Sequence, residues 1–133
     1  MIKLGQIARA SKSWSGIDVE IFSEISGDKN PIHLNNDFAA NTIFKQRIVH
    51  GFLVGSLISS VIGNQLPGVG TIYLYQEMKF VNPVFINELV FCEVEVVDII
   101  QEKHRAKLKT TCFKEDKTTV IEGFALVRFQ NEL

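Results

Sequence analysis

An excess of charge of either sign is missing from this sequence. Its 14 Lys and Arg residues nearly balance 15 Asp and Glu, leaving a formal net charge of −1. That balance argues against a dedicated nucleic-acid-binding protein, because neutralising phosphates takes clustered positive charge. The most basic piece, Lys103-His104-Arg105 with Lys107 and Lys109, alternates its charges like the wet face of a strand, with His104 at the surface. Cysteine is scarce too. Cys92 and Cys112 lack metal-ligand spacing and fall at apolar positions of strand-like runs. They are expected as reduced core residues of a cytoplasmic chain, with a disulfide between adjacent strands left open. No apolar run approaches the roughly 18 residues that span a bilayer. Residues 1–14 lack the continuous apolar centre of a signal peptide, so neither membrane insertion nor export is expected. There is no internal repeat and no low-complexity linker, and 133 residues suit one domain covering 1–133. Tryptophan and tyrosine are few, one and two, against ten Phe. Apolar area, including a possible interface, therefore matters more than polar aromatic contacts.

What is present divides into a helical first half and a sheet-like second half. Ser15 with Asp18 three positions on has the form of a capping box, and Gly27 stands where a helix should stop. Ile17, Ile21 and Ile25 between them predict one buried stripe. Pro31 forbids continuation of that helix and pushes Asn30 toward an extended conformation. Asn35 or Asn36 is a candidate cap for a short helix through residues 37–40. The segment HGFLVGSLISSVIG, residues 50–63, is apolar or small on nearly every face and reads as a helix buried all round. Gly51, Gly55 and Ser59 recur every four residues and leave one side without bulk; for Gly55, tight packing against a sheet is the preferred account.

From residue 72 onward the period becomes two. Ile72, Leu74, Met78 and Phe80 share a face, Val90, Cys92, Val94 and Val96 share another, and Ala106, Leu108, Thr110 and Cys112 alternate with basic residues. With a last run over residues 118–129, four long strands predict an antiparallel meander, and residues 2–14 offer a fifth strand. The expected class is α+β, a long curved sheet wrapped around the apolar helix at 50–63.

Titratable groups beside apolar, restricted sequence are few: Asp28, His33 and His50. A metal site needs three or four converging ligands, and these three show no recognised spacing along the chain. Ser59 and Ser60 lack the strand-to-helix elbow of a hydrolase nucleophile. Phe22-Ser-Glu-Ile-Ser-Gly-Asp28-Lys-Asn30-Pro31-Ile-His33, with Ala39 six positions later, resembles the hydratase-2 motif of the (R)-specific enoyl-CoA hydratases. These belong to the MaoC-like branch of the hotdog superfamily. The resemblance continues through Ile48-Val49-His50-Gly51-Phe52, Gln65-Leu66-Pro67-Gly68 and Phe80-Val81-Asn82-Pro83-Val84, in order along nearly the whole chain.

That resemblance implies a hotdog fold and the hydration of a trans-2-enoyl thioester, with Asp28 and His33 as a catalytic pair sharing one water. Such a step needs a base for the water and an acid for the developing enolate. It implies that the backbone N–H of Gly51 holds the thioester oxygen, a role suited to the first free donor of a helix. Asn30 is implied as a support of the loop and Ser59 as a support of the site, although a helix Ser bonded to its own backbone accounts for Ser59 equally well. His50 is read as structural, orienting the loop or capping the helix. No metal or organic cofactor is implied. The partner is an acyl-CoA thioester, or alternatively an acyl-carrier-protein thioester as in the 3-hydroxyacyl-[acyl-carrier-protein] dehydratases. Lys45, Arg47 and Lys79 are candidate contacts for either carrier. A homodimer is expected, with Phe91 and Phe113 as candidate interface residues. The reading from another class is a non-catalytic, acyl-binding hotdog module.

Overall fold

The computed structural model describes residues 1–130. Strand β1 (Ile7–Lys12) leads to helix α1 (Gly16–Ser26), the short helices α2 (Pro31–Leu34) and α3 (Asn36–Ala40), and the long helix α4 (Gly51–Asn64). Strands β2 (Ile72–Gln76), β3 (Lys79–Phe80), β4 (Val90–Ile100), β5 (Arg105–Lys114) and β6 (Thr119–Arg128) follow. They form one antiparallel sheet in the order β1-β4-β5-β6-β2, with β3 also paired to β6.

Local chemistry sets the helix ends. Ser15 Oγ accepts from the Asp18 N–H at 3.1 Å, and the Asp18 carboxylate accepts from the Ser15 N–H at 2.9 Å, closing the capping box. Gly27 ends α1 at φ 80°, a left-handed position where an L side chain is strained, and its N–H returns to the Ser23 carbonyl. Asn35 caps α3 by accepting from the Phe38 N–H.

The expected stripe on α1 is on the wrong face. Ile17, Ile21 and Ile25 are 68%, 52% and 80% exposed, whereas Val19 and Ser23 are buried. Trp14 and Val19 occupy the two positions of a hydrophobic staple around the Ser15 cap, and both are buried in the same core. That staple turns Val19 and Ser23 inward, and the isoleucines consequently face out.

Helix α4 is also less enclosed than its composition predicts. Val54, Gly55, Leu57, Ile58, Val61 and Ile62 are buried, but Phe52, Ser56, Ser59 and Gly63 are exposed along the opposite side. The small residues carry too little apolar area to reveal which side meets the sheet. Gly55 does serve close packing: a Cβ there would lie 2.8 Å from Met78 Sδ.

Alternation in β4 and β5 is as expected. Val90, Cys92, Val94 and Val96 are buried, with Cys92 opposite Cys112 and Val96 opposite Leu108. Cys92 and Cys112 are free thiols, and the hydrogen bond between them together with burial pushes the Cys92 thiol up. The true meander is confined to β4, β5 and β6. The run at residues 72–80 breaks at Glu77 and Met78 into β2 and β3, which lie along β6 at the far edge, while β1 takes the place beside β4. The break has a local cause, since Glu77 N–H bonds the Phe124 carbonyl and Met78 turns its sulfur against Gly55. Within β2 neither face is buried, so the alternation of Ile72 and Leu74 does not mark an inner row.

These placements separate two kinds of isoleucine. Ile58→Ala, at a fully buried position of α4, should cost about 2–5 kcal/mol. Ile21→Ala on the outer face of α1 should stay within about 0.5 kcal/mol of the parent. Urea unfolding with unchanged slope checks both values.

Candidate active site

The turn after α1 places Asp28 by a chain of short-range bonds. Asp28 Oδ1 accepts from the Asn30 N–H, and Asn30 Oδ1 accepts from the Ile32 N–H, each at 3.2 Å. Asn30 is thus the cap of α2, and Pro31 occupies its first turn, where a missing N–H costs nothing. Pro31, expected to forbid continuation of α1, lies beyond its end and starts a new helical turn. His33 sits on that turn and is 8% exposed.

His33 is fastened to the segment leading into α4. Its Nδ1 lies 2.8 Å from the Ile48 carbonyl oxygen, which can only accept, so Nδ1 carries the proton and Nε2 presents a lone pair. Ile48 N–H returns to the Ile32 carbonyl, and Val49 N–H bonds the Val84 carbonyl at 2.7 Å. Arg47, expected as a contact for the substrate carrier, instead donates from Nε to the His33 carbonyl at 2.6 Å, with its guanidinium packed near Gly16. Lys45 and Lys79 are exposed.

His50 was expected only to orient or cap. It makes no side-chain cap bond to α4. Its ring stacks on His33 with centroids 3.9 Å apart and planes 25° apart, and Phe22 meets it edge-on. His50 Nε2 lies 3.1 Å from both the Asp28 carbonyl and Ser23 Oγ. Burial holds this imidazole below its ordinary range, while the bond to the Asp28 carbonyl pulls the other way. Ser23 and Phe22 stood in the motif but had no role of their own in the sequence reading. The one signal was Ser23, a polar residue four positions from Val19 on the inward stripe.

One polar atom from each of Asp28, His33 and His50 lies within 4.8 Å of the others. Linear spacing concealed this cluster. One nitrogen of each ring, His33 Nδ1 and His50 Nε2, is already committed to a main-chain carbonyl. A carboxylate and an imidazole at such separation can both reach one water, since each hydrogen bond spans about 2.8 Å.

Asp28 and His50 open on a cleft of about 450 Å³ that Phe44, Gly51, Phe80 and Val84 also line, whereas His33 lies against His50 and is not among the lining residues. Gly51 is the first residue of α4, and its N–H has no acceptor among the described residues. A Cβ there would lie 2.7 Å from the Phe80 ring, so glycine lets that ring close against the start of α4. Ser59 is not among the residues that line the cleft and sits on the exposed side of α4.

A family model for the MaoC-like domain matches residues 3–119. The chain belongs to the MaoC-like domain family. It is 42% identical to the (R)-specific enoyl-CoA hydratase of Aeromonas caviae, over 96% of this chain and 95% of that protein. It is 44% identical to a 3-hydroxybutyryl-CoA dehydratase of Methylorubrum extorquens, over 96% of this chain and 80% of that one. Its structure superposes on the solved (R)-hydratase from A. caviae with a TM-score of 0.94, covering 97% of this chain and 98% of the other at 42% identity. The MaoC-like chain shares with these hydratases the α+β hotdog architecture. Among the described residues no helix is long and apolar enough to cross a membrane.

The depressed value of His50 has a sign that stability measurements read. The unfolded chain takes up this proton near the ordinary value of 6.5, above the pH at which the folded chain does. The contribution of neutral His50 is therefore complete above that value and is lost as pH falls toward the lowered one. The unfolding midpoint of the parent protein should drop more steeply between about pH 7 and about pH 5 than that of His50→Phe, which has nothing to titrate there.

Proposed function

We propose that this MaoC-like protein adds water to trans-2-enoyl-CoA to give (R)-3-hydroxyacyl-CoA, and catalyses the reverse dehydration. The observation that carries the reading is the meeting of Asp28 and His33 within reach of one water, beside the unused Gly51 N–H. Water held between carboxylate and imidazole delivers its oxygen to the β-carbon, and a proton goes to the α-carbon. The charge that builds on the thioester oxygen between these events is taken by Gly51 N–H at the positive end of α4. A pre-aimed donor of this kind is worth about 3 kcal/mol of transition-state stabilisation. Asn30 supports the pair by holding the turn, and the identity with enoyl-CoA hydratases supports the substrate class.

The reading includes a homodimer. Ile72, Leu74, Tyr75 and Phe80 are 44–56% exposed on the open β2 and β3 edge, and Phe52 stands 70% exposed beside them in a ring stack with Phe80. An apolar edge of this kind is normally covered. Phe91 and Phe113 stack on each other at 5.8 Å on β4 and β5, away from this edge. We place the reaction in the cytoplasm, in keeping with the two free buried thiols.

Loss of the enoyl thioester absorbance with crotonyl-CoA tests the activity. Asp28→Asn and His33→Gln should each lower kcat by about 10²–10⁴-fold with the fold retained. No hydration of CoA thioesters of any chain length would sink the reading. Turnover confined to carrier-protein thioesters would move it to the carrier-protein dehydratases. For the dimer, sedimentation should give twice the mass of one chain, and Leu74→Lys with Tyr75→Lys should shift it to one.

A further inference from the structure

Three parts of the proposed site come from separate segments, and a single side chain touches or adjoins all of them. His50 Nε2 bonds the carbonyl of Asp28, the His50 ring lies flat on His33, and His50 immediately precedes Gly51. It is 2% exposed, and its remaining nitrogen, Nδ1, is buried without a hydrogen-bond partner.

We propose that His50, held by Ser23 of α1, is the positioning residue of the site, fixing the Asp28 turn, the His33 ring and the Gly51 donor relative to one another. The inference rests on the hydratase reading for the reaction it serves. The carbonyl of Asp28 can only accept, so His50 Nε2 carries the proton and shares it between Asp28 and Ser23 Oγ. His33 has the reverse arrangement, with its proton on Nδ1 toward Ile48. The stacked rings are thus locked as opposite tautomers, each by a main-chain carbonyl. Turning His33 to present its N–H to the water would break the Ile48 bond and slide its ring across His50. Tilting Asp28 away would break the His50 bond. Ser23 completes the device, because its oxygen lies 3.1 Å from Nε2 and is buried with it. The loss expected on removing such an orienting contact is large, since about 1 Å of misplacement can lower a rate 10²-fold.

With only three histidines in the chain, nitrogen-15 NMR of uniformly labelled protein reads each ring separately. The parent should show His50 protonated at Nε2 and His33 at Nδ1; the same tautomer on both rings overturns the proposal without reference to activity. His50→Phe keeps an aromatic ring and removes the donor. Per folded enzyme it should lower kcat on crotonyl-CoA by about 10²-fold, with KM within about threefold, and leave His33 in mixed tautomers. His50→Gln, which returns an amide donor toward Asp28 and Ser23, should recover about tenfold of that loss. Ser23→Ala leaves His50 in place and should cost about three- to tenfold in kcat. Should the His50 variants fail to fold, Ser23→Ala and the parent spectra decide. Unchanged kcat in either His50→Phe or Ser23→Ala, or a change confined to melting temperature, overturns the positioning role. An inactive parent with the opposite tautomers intact faults the hydratase reading alone.

Discussion

The hydrogen bond from His33 Nδ1 to the Ile48 carbonyl, 2.8 Å long, is the interaction on which the site depends. It determines which nitrogen of His33 carries a proton and leaves Nε2 as the free nitrogen of the neutral ring. It also ties α2 to the segment that runs into α4, fifteen residues further along the chain. Arg47 reinforces the same junction from the other side by bonding the His33 carbonyl. Were that junction loose, Asp28 and Gly51 would belong to two parts of the molecule with no defined separation.

The rest of the architecture keeps that junction rigid. Val49 is fastened to Val84, and Val49, Val54, Ile58 and Val84 are buried in the core that β4, β5 and β6 complete. Because interiors are close-packed, a shift of α4 along the sheet would be felt throughout this core. The donor at the start of α4 is thus positioned by the sheet, whereas Asp28 is positioned by the local turn and by His50. Small residues let the two meet. Phe80 closes on Gly51 and Met78 on Gly55, and a side chain at either position would hold these neighbours off.

Much of the local structure was legible before any coordinates. The capping box at Ser15 and Asp18, the stop at Gly27 and the cap at Asn35 are patterns whose partners lie within four residues, and each is present. Alternation in β4 and β5 was equally readable, because one face of each strand is buried and the period of two records it. The readings that failed concern faces and neighbours. Ile17, Ile21 and Ile25 were a sound helical stripe, but the Trp14 and Val19 staple decided which stripe went inward. Residues 72–80 were sound strand material, yet nothing in their alternation records that β6, and not β4, supplies their partners. Arg47 was a free cation in the sequence and is a tether in the fold.

Sequence by itself determined most of the elements (though neither α2 nor the split between β2 and β3), the family motif and the candidates Asp28 and His33, since these are carried by residue types at short, readable spacing. Only the tertiary structure decided that His50 lies against His33, that Ser23 is buried beneath it, and that Ser59 stands outside the cleft. The physical reason is range. Caps, turns and alternation are settled by bonds a few residues long, whereas Ser23 and His50 are 27 residues apart and meet only because packing of α1 and α4 brings them together.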